Sequence, residues 1–161
     1  MTGDEGARRL IAELSERGLT AATCESLTAG LVSATITTVP GASAVFRGGL
    51  VTYASDLKTK LAGVDAGWIA ENGVINSITA AQMAMGCRKA CRADIGLSCT
   101  GVAGPDPQDG EGAGTVFIGA VYEGAPIVKH LQLEGPREEI RRATVQALLD
   151  LGCEVLSGSQ N

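Results

Sequence analysis

Leu19-Thr20-Ala21-Ala22-Thr23-Cys24-Glu25-Ser26-Leu27-Thr28-Ala29-Gly30 is the stretch that decides the fold. Leu19 to Cys24 is short, uncharged and largely apolar, the pattern of a buried strand. The polar turn Glu25 to Gly30 follows, then small and β-branched residues to about Thr37 that read as a helix, broken by Val39-Pro40-Gly41. Upstream, Ala7, Leu10, Ile11 and Leu14 recur at helical spacing and Gly18 is placed to end that helix.

Downstream, Gly49-Leu50-Val51-Thr52-Tyr53 predicts a second strand, and Ser55 is placed to cap a short helix from Asp56 to Leu61. Asn76 or Ser77 caps a helix to about Arg92, with Ala80, Met83, Ala84, Cys87 and Ala90 on its apolar face. Ala93 to Cys99 reads as a buried strand, and Thr100 to Gly114, rich in Gly and Pro with little apolar, as a loop. Thr115 to Tyr122 and Ile127 to Leu133 form an antiparallel pair about the turn at Glu123-Gly124. Pro136 opens a last helix whose buried stripe is Ile140, Thr144, Ala147, Leu148 and Leu151. Strands alternating with helices, then one hairpin, predict an α/β class fold: a three-layer α/β/α sandwich with a mixed, mostly parallel sheet. No linker or repeat divides residues 1–161, so one domain is expected, without an N-terminal fusion domain.

Composition narrows the function. The 161 residues carry 13 Lys+Arg and 18 Asp+Glu, a net charge of −5, which argues against a generic nucleic-acid or anionic-membrane binder. Aromatics are 3%, too few for a platform that stacks single-stranded bases. No apolar run approaches the ~20 residues that span a bilayer, and the acidic start Met1-Thr-Gly-Asp-Glu is unlike a signal peptide, so a cytoplasmic protein is expected. Five cysteines without C-x-x-C pairs read as reduced core thiols; Cys87 and Cys91 share a helix face but lack further metal ligands. Gly is 22 of 161, about twice the usual ~7%, so many backbone positions turn tightly or approach something closely.

In sheets of this kind ligands gather beyond the carboxyl ends of the strands. Four such ends are polar here: Glu25 to Gly30, Tyr53-x4-Lys58, Thr100-Gly101-Val102-Ala103-Gly104-Pro105, and the loop before Gly114-Thr115. An isolated Ser before a helix is more often a cap than a nucleophile, and Ser26 or Thr28 could be one. The convergence of several polar ends favours chemistry. No phosphate-binding G-x-x-x-x-G-K-[ST], dinucleotide G-x-G-x-x-G or G-x-S-x-G elbow is present. The single His, His130, lies mid-strand, so a serine nucleophile needs another base, and lysine is the candidate. Ser55-Asp56-Leu57-Lys58 matches S-x-x-K, but four residues are a weak motif without its S-D-N and K-T-G companions, and capping explains Ser55 more simply. A short helix after Tyr53 would aim Lys58 back toward the strand ends.

Taken in order, Glu25-Ser26-Leu27-Thr28-Ala29-Gly30-Leu31, Val39-Pro40-Gly41-Ala42-Ser43-x-x-Phe46-x-Gly48-Gly49, Val51-Thr52-Tyr53-x4-Lys58-x2-Leu61-x-Gly63-Val64, Thr100 to Pro105, Gly114-Thr115-Val116 and Arg137-x3-Arg141 make a specific set. From about residue 5 to 155 the chain resembles the CinA C-terminal-domain family, the nicotinamide-nucleotide amidases of the PncC type. The resemblance implies hydrolysis of the carboxamide of nicotinamide mononucleotide to nicotinate mononucleotide and ammonia, with no cofactor and no metal. It implies Ser26 as nucleophile and Lys58 and Tyr53 as its activating partners. Ser43, Thr100 and Arg141, with Glu25, Thr28, Gly30 and Gly101, would bind substrate or shape the site. The chain departs from the family at Ala29, where Gly is common, and at Glu111-Gly112-Ala113, where Lys-Pro-Val is usual. Where Ser55 stands the family commonly has Asn, as suits a cap.

An amide is a poor electrophile, so its hydrolysis needs an activated nucleophile, a held oxyanion and a protonated leaving group. Lys58 can serve as base only if its pKa falls from about 10.4 toward ~7–8, through desolvation or a cationic neighbour such as the substrate's pyridinium or Arg141. Backbone N–H groups after Ser26, or those of the Thr100 to Gly104 turn, are the candidate oxyanion donors. The expected partner is a small-molecule pyridine mononucleotide, with no nucleic acid and no membrane; enzymes of this size often dimerise, so a homodimer is expected. A non-catalytic nucleotide-binding module, or an amidohydrolase for another small amide, is the alternative.

Overall fold

Residues 3–158, described here from a computed structural model, form five strands and seven helices. Helix α1 (Gly3–Arg17) has Asp4 and Glu5 in its first turn and Arg17 in its last, as its dipole prefers, and stops at Gly18 with φ +67°. Strand β1 (Ala21–Glu25) is buried along its whole length. It is followed by α2 (Leu31–Ile36), a single turn α3 (Ala42–Val45), and β2 (Phe46–Val51). Helices α4 (Ser55–Ala62), α5 (Ala66–Asn72) and α6 (Ser77–Cys91) lead to β3 (Ile95–Gly101). The hairpin β4 (Thr115–Val121) and β5 (Ile127–Gln132) precedes the long α7 (Arg137–Gly158).

The strand order is β2-β1-β3-β4-β5, parallel across the first three and antiparallel at β3–β4 and β4–β5. Only β4 therefore runs against the rest, and the predicted mixed sheet with helices on both faces is what the chain forms. Helices α1, α2 and α7 cover one face, where Leu10, Leu14, Ile118, Leu148 and Leu149 make the larger core. Helices α4 and α6 cover the other, over Ala22, Cys24, Met83 and Cys87. Burying each large aliphatic side chain contributes about 1.5–3 kcal/mol. No helix of the described residues is long and apolar enough to cross a membrane.

Several boundaries depart from the sequence reading, each for a local reason. Strand β2 starts at Phe46 rather than Gly49, because Gly49 is required inside the strand: a Cβ there would fall 2.6 Å from Ser33 Oγ. Helices α3 and α5 were not expected. The first is one turn, and the second buries no residue, so neither shows an apolar stripe. Helix α5 depends instead on its cap, Asp65, whose carboxylate accepts from Trp68 N at 2.7 Å. Ser55 is the first residue of α4 rather than its cap; Ala54 holds that position and no side chain caps the helix. Within the long loop, Gln108 and Glu111 pair across Asp109 and Gly110, both at positive φ, a two-residue hairpin of the Asp-Gly kind.

Small residues let α6 lie close on the sheet. A Cβ on Gly119 would stand 2.9 Å from Ala80 O and 2.7 Å from Ser98 Oγ. Gly119→Ala is therefore expected to destabilise the protein by about 1–3 kcal/mol, read as a lower urea midpoint; an unchanged midpoint would show that α6 can shift freely.

Candidate functional site

The sheet order places a topological switch at β1. The chain leaves β1 to reach β2 on one side, through α2 on one face, and later reaches β3 on the other side after α4 to α6 on the opposite face. Open sheets bind ligands beside such a point, outside the carboxyl ends of the strands. A cleft of about 420 Å³ lies there, lined by Ser26 and Leu27 after β1, Tyr53 after β2, residues 101–108 after β3, and Arg137 at the start of α7. Its size suits a small-molecule ligand.

Side chains along a strand alternate between faces. Ala22 and Cys24 join the core under α4 and α6, while Thr23 meets Ser33 and Glu25 meets residues 32 and 33 on the α2 face. Ser26, next in the alternation, faces α4. On α4, Lys58 and Ala62 are four residues apart and both buried, so they share the inward face. Lys58 is 1% exposed, its Nζ donating to Thr52 O at 2.6 Å and to Ser26 Oγ at 3.0 Å. Burial holds the amine below its ordinary pKa, against the opposing influence of Cys24, Cys99 and Asp109. The expected pairing of Ser26 with Lys58 is thus present, and the desolvation it needed comes from the protein.

Glu25 lies beneath this pair. It is fully buried, with Oε1 accepting from Thr28 Oγ1 and Val32 N, both at 2.7 Å. Oε2 accepts from Ser33 N at 3.0 Å and from Ser33 Oγ at 2.8 Å. The carboxylate therefore does the work of a cap for α2, whose own cap position is Gly30 at φ +100°. Glu25 and Thr28, expected as ligands of substrate, are committed to each other and to the helix, with no oxygen of either open to the cleft. Ala29 stands at φ +46°, a left-handed conformation that glycine adopts without strain and an L-residue adopts at about 1–2 kcal/mol.

Other expected site residues are distributed differently. Thr100 is buried and donates to Val74 O at 2.8 Å, tying the α5–α6 connection to β3. Gly101 lines the cleft with its backbone, and its missing side chain serves β4, because a Cβ would meet Thr115 O at 2.6 Å. Ser43 is exposed on α3, which precedes β2 and so sits at the amino end of the parallel strands, away from the cleft. Tyr53 is 58% exposed, and its hydroxyl faces Arg137 Nη2 at 3.5 Å rather than Ser26 or Lys58. Arg141 grips the turn from outside: Nε donates to Leu27 O at 3.0 Å and Nη2 to Thr28 O at 3.1 Å. Arg137, quoted earlier only within a motif, donates through Nη1 to Gly104 O at 2.6 Å and borders the cleft. His130 stacks on Phe117 along the β5 edge. The thiols are poor nucleophiles here, since burial pushes Cys24 up to about 11 and Cys99 up to about 12.

Comparison with known proteins adds a family. Residues 4–156 match the CinA C-terminal domain. The chain is 44% identical over 148 residues to a CinA-like protein of Frankia casuarinae, covering 92% of this chain and 34% of that protein. It is 45% identical over 152 residues to a putative competence-damage inducible protein of Limosilactobacillus fermentum, covering 93% and 37%. This chain thus spans about a third of the length of those relatives. Among solved structures, the competence/damage inducible protein CihA from Agrobacterium tumefaciens superposes with a TM-score of 0.91 at 33% identity, over 96% of this chain and 95% of that one. A CinA superfamily protein from Klebsiella pneumoniae superposes with a TM-score of 0.94 at 25% identity, over 98% and 99%.

Two outcomes follow from the buried groups. Glu25→Ala strands Val32 N and Ser33 N and leaves the Thr28 and Ser33 hydroxyls only Cys99 Sγ and Thr23 Oγ1, so it is expected to lower stability by about 3 kcal/mol, measured by urea unfolding. For Lys58, the unfolded chain keeps its proton up to about pH 10.5 while the folded amine releases it at lower pH. Between those two values the unfolded state binds the extra proton, so stability rises with pH. Wild-type protein is expected to gain more than Lys58→Met when the pH is raised from 7 toward 10; equal gains would mean that the amine titrates normally.

Proposed function

Because the chain belongs to the CinA C-terminal domain family, we propose that it is an amidase that hydrolyses the carboxamide of nicotinamide mononucleotide, giving nicotinate mononucleotide and ammonia. The observation that carries the reading is the 3.0 Å approach of a buried Lys58 Nζ to Ser26 Oγ beside the cleft.

In the ammonium form Lys58 donates to Ser26. Once neutral, it turns its lone pair to the hydroxyl and accepts the proton as Oγ attacks the amide carbon, while Thr52 O still holds one N–H. The tetrahedral oxyanion needs donors that the fold does not already use. Ser26 N is spent on Cys99 O, Ala29 N on Ser26 O and Val102 N on Thr115 O. The N–H groups of Leu27, Ala103 and Gly104 have no acceptor among the described residues, and all three residues line the cleft, so the donors are assigned among these. Collapse breaks the C–N bond, and Lys58 returns its proton to the departing ammonia. Water, deprotonated in turn by Lys58, then cleaves the acyl ester and restores Ser26. Glu25 and Arg141 act at one remove, fixing the turn from inside and outside. Tyr53 forms a wall of the cleft and positions Arg137 instead of relaying a proton.

Ser26→Ala and Lys58→Met are each expected to lower ammonia release from nicotinamide mononucleotide by about 10³-fold or more. In wild type, kcat should rise with pH through a value below the ordinary lysine range, as the amine becomes neutral. Wild-type turnover in both variants would sink the assignment, and a panel of other small amides would show whether the pyridine nucleotide is the preferred substrate.

A further inference from the structure

We infer that Arg137 recognises the phosphate monoester of the substrate, an inference that rests on the amidase reading and deepens it. Among the residues lining the cleft, Arg137 is the one cation. Its Nη1 donates to Gly104 O at 2.6 Å and its Nη2 reaches Tyr53 Oη weakly at 3.5 Å, which fixes the guanidinium against the cleft wall. Those contacts use two of its five N–H donors and both acceptors are uncharged. No ion pair among the described residues includes Arg137, so its charge meets no carboxylate.

Arg141, one helical turn further on, is in the opposite condition. Nε and Nη2 hold Leu27 O and Thr28 O, and Nη1 meets Glu138 Oε2 at 2.9 Å. Its charge is neutralised and each of its nitrogens is engaged. Of the two arginines, only Arg137 has both an unpaired charge and free donors to present to a ligand. A planar guanidinium with free N–H groups matches the oxygens of a phosphate, where a neutral donor would not. The same lining contains Asp106, so the cleft carries one charge of each sign. A pyridinium ribonucleotide 5′-phosphate carries the same two.

The test compares wild type with Arg137→Gln on nicotinamide mononucleotide and on nicotinamide riboside, which keeps the pyridinium and the amide and lacks the phosphate. The ratio of the two kcat/KM values should fall about 10- to 100-fold, the worth of a charge-assisted hydrogen bond, chiefly through a raised KM for the mononucleotide. Arg137→Lys should retain part of the preference. If Arg137 only braces Gly104, both substrates suffer alike and the ratio is unchanged, which overturns the inference. Absence of ammonia from both substrates with wild-type protein defeats the amidase reading separately. Calorimetric titration with ribose 5-phosphate then decides for Arg137: at least tenfold weaker binding by Arg137→Gln supports it, and equal binding, or none to wild type, overturns it.

Discussion

Taking a carboxylate out of water costs several kcal/mol, and Glu25 stays buried without a cation because four donors surround it. Two are backbone N–H groups from the first turn of α2, which a helix start otherwise leaves open. The arrangement locks the end of β1 to α2, and with it the turn from Ser26 to Gly30. A slip of one residue in this turn would both unpair the carboxylate and move Ser26 to the other face of the sheet. The position of Ser26 beside Lys58 therefore depends on satisfying one buried charge.

Lys58 is held by the complementary device. Its helix presents the amine inward, where Thr52 O accepts one bond and leaves Ser26 as the second partner. Neither partner is anionic, so nothing offsets desolvation strongly, and the neutral amine becomes accessible at lower pH than in water. An ion pair with Glu25 would have had the opposite effect. The two groups face opposite sides of the sheet, and that separation leaves burial as the largest influence on the amine.

The residues gathered around the cleft divide into those that touch its space and those that hold its walls. Glu25, Thr28, Thr100 and Arg141 belong to the second group, each bonded to protein atoms that set a loop or a turn. Ser26, Tyr53, Gly101 and Arg137 border the cleft itself. Ser43 belongs to neither within this chain, because α3 lies at the other end of the parallel strands.

Periodicity and turn chemistry determined the class of fold, since a buried strand, an amphipathic helix and an Asn76 cap are local events written in neighbouring residues. They also placed Ser26 and Lys58 at polar strand ends, and the resemblance to the CinA C-terminal-domain family marked them as nucleophile and partner. Helices α3 and α5 were illegible because neither buries a long apolar stripe, and the start of β2 was hidden by a glycine pair of which Gly49 leaves room for Thr23 and Ser33. Residue type alone could not tell Arg137 from Arg141, or a carboxylate that binds substrate from one that caps a helix. Those roles depend on which donors and acceptors come within 3 Å across 30 to more than 100 residues of chain, and only the packing of the sheet between its helices brings them there.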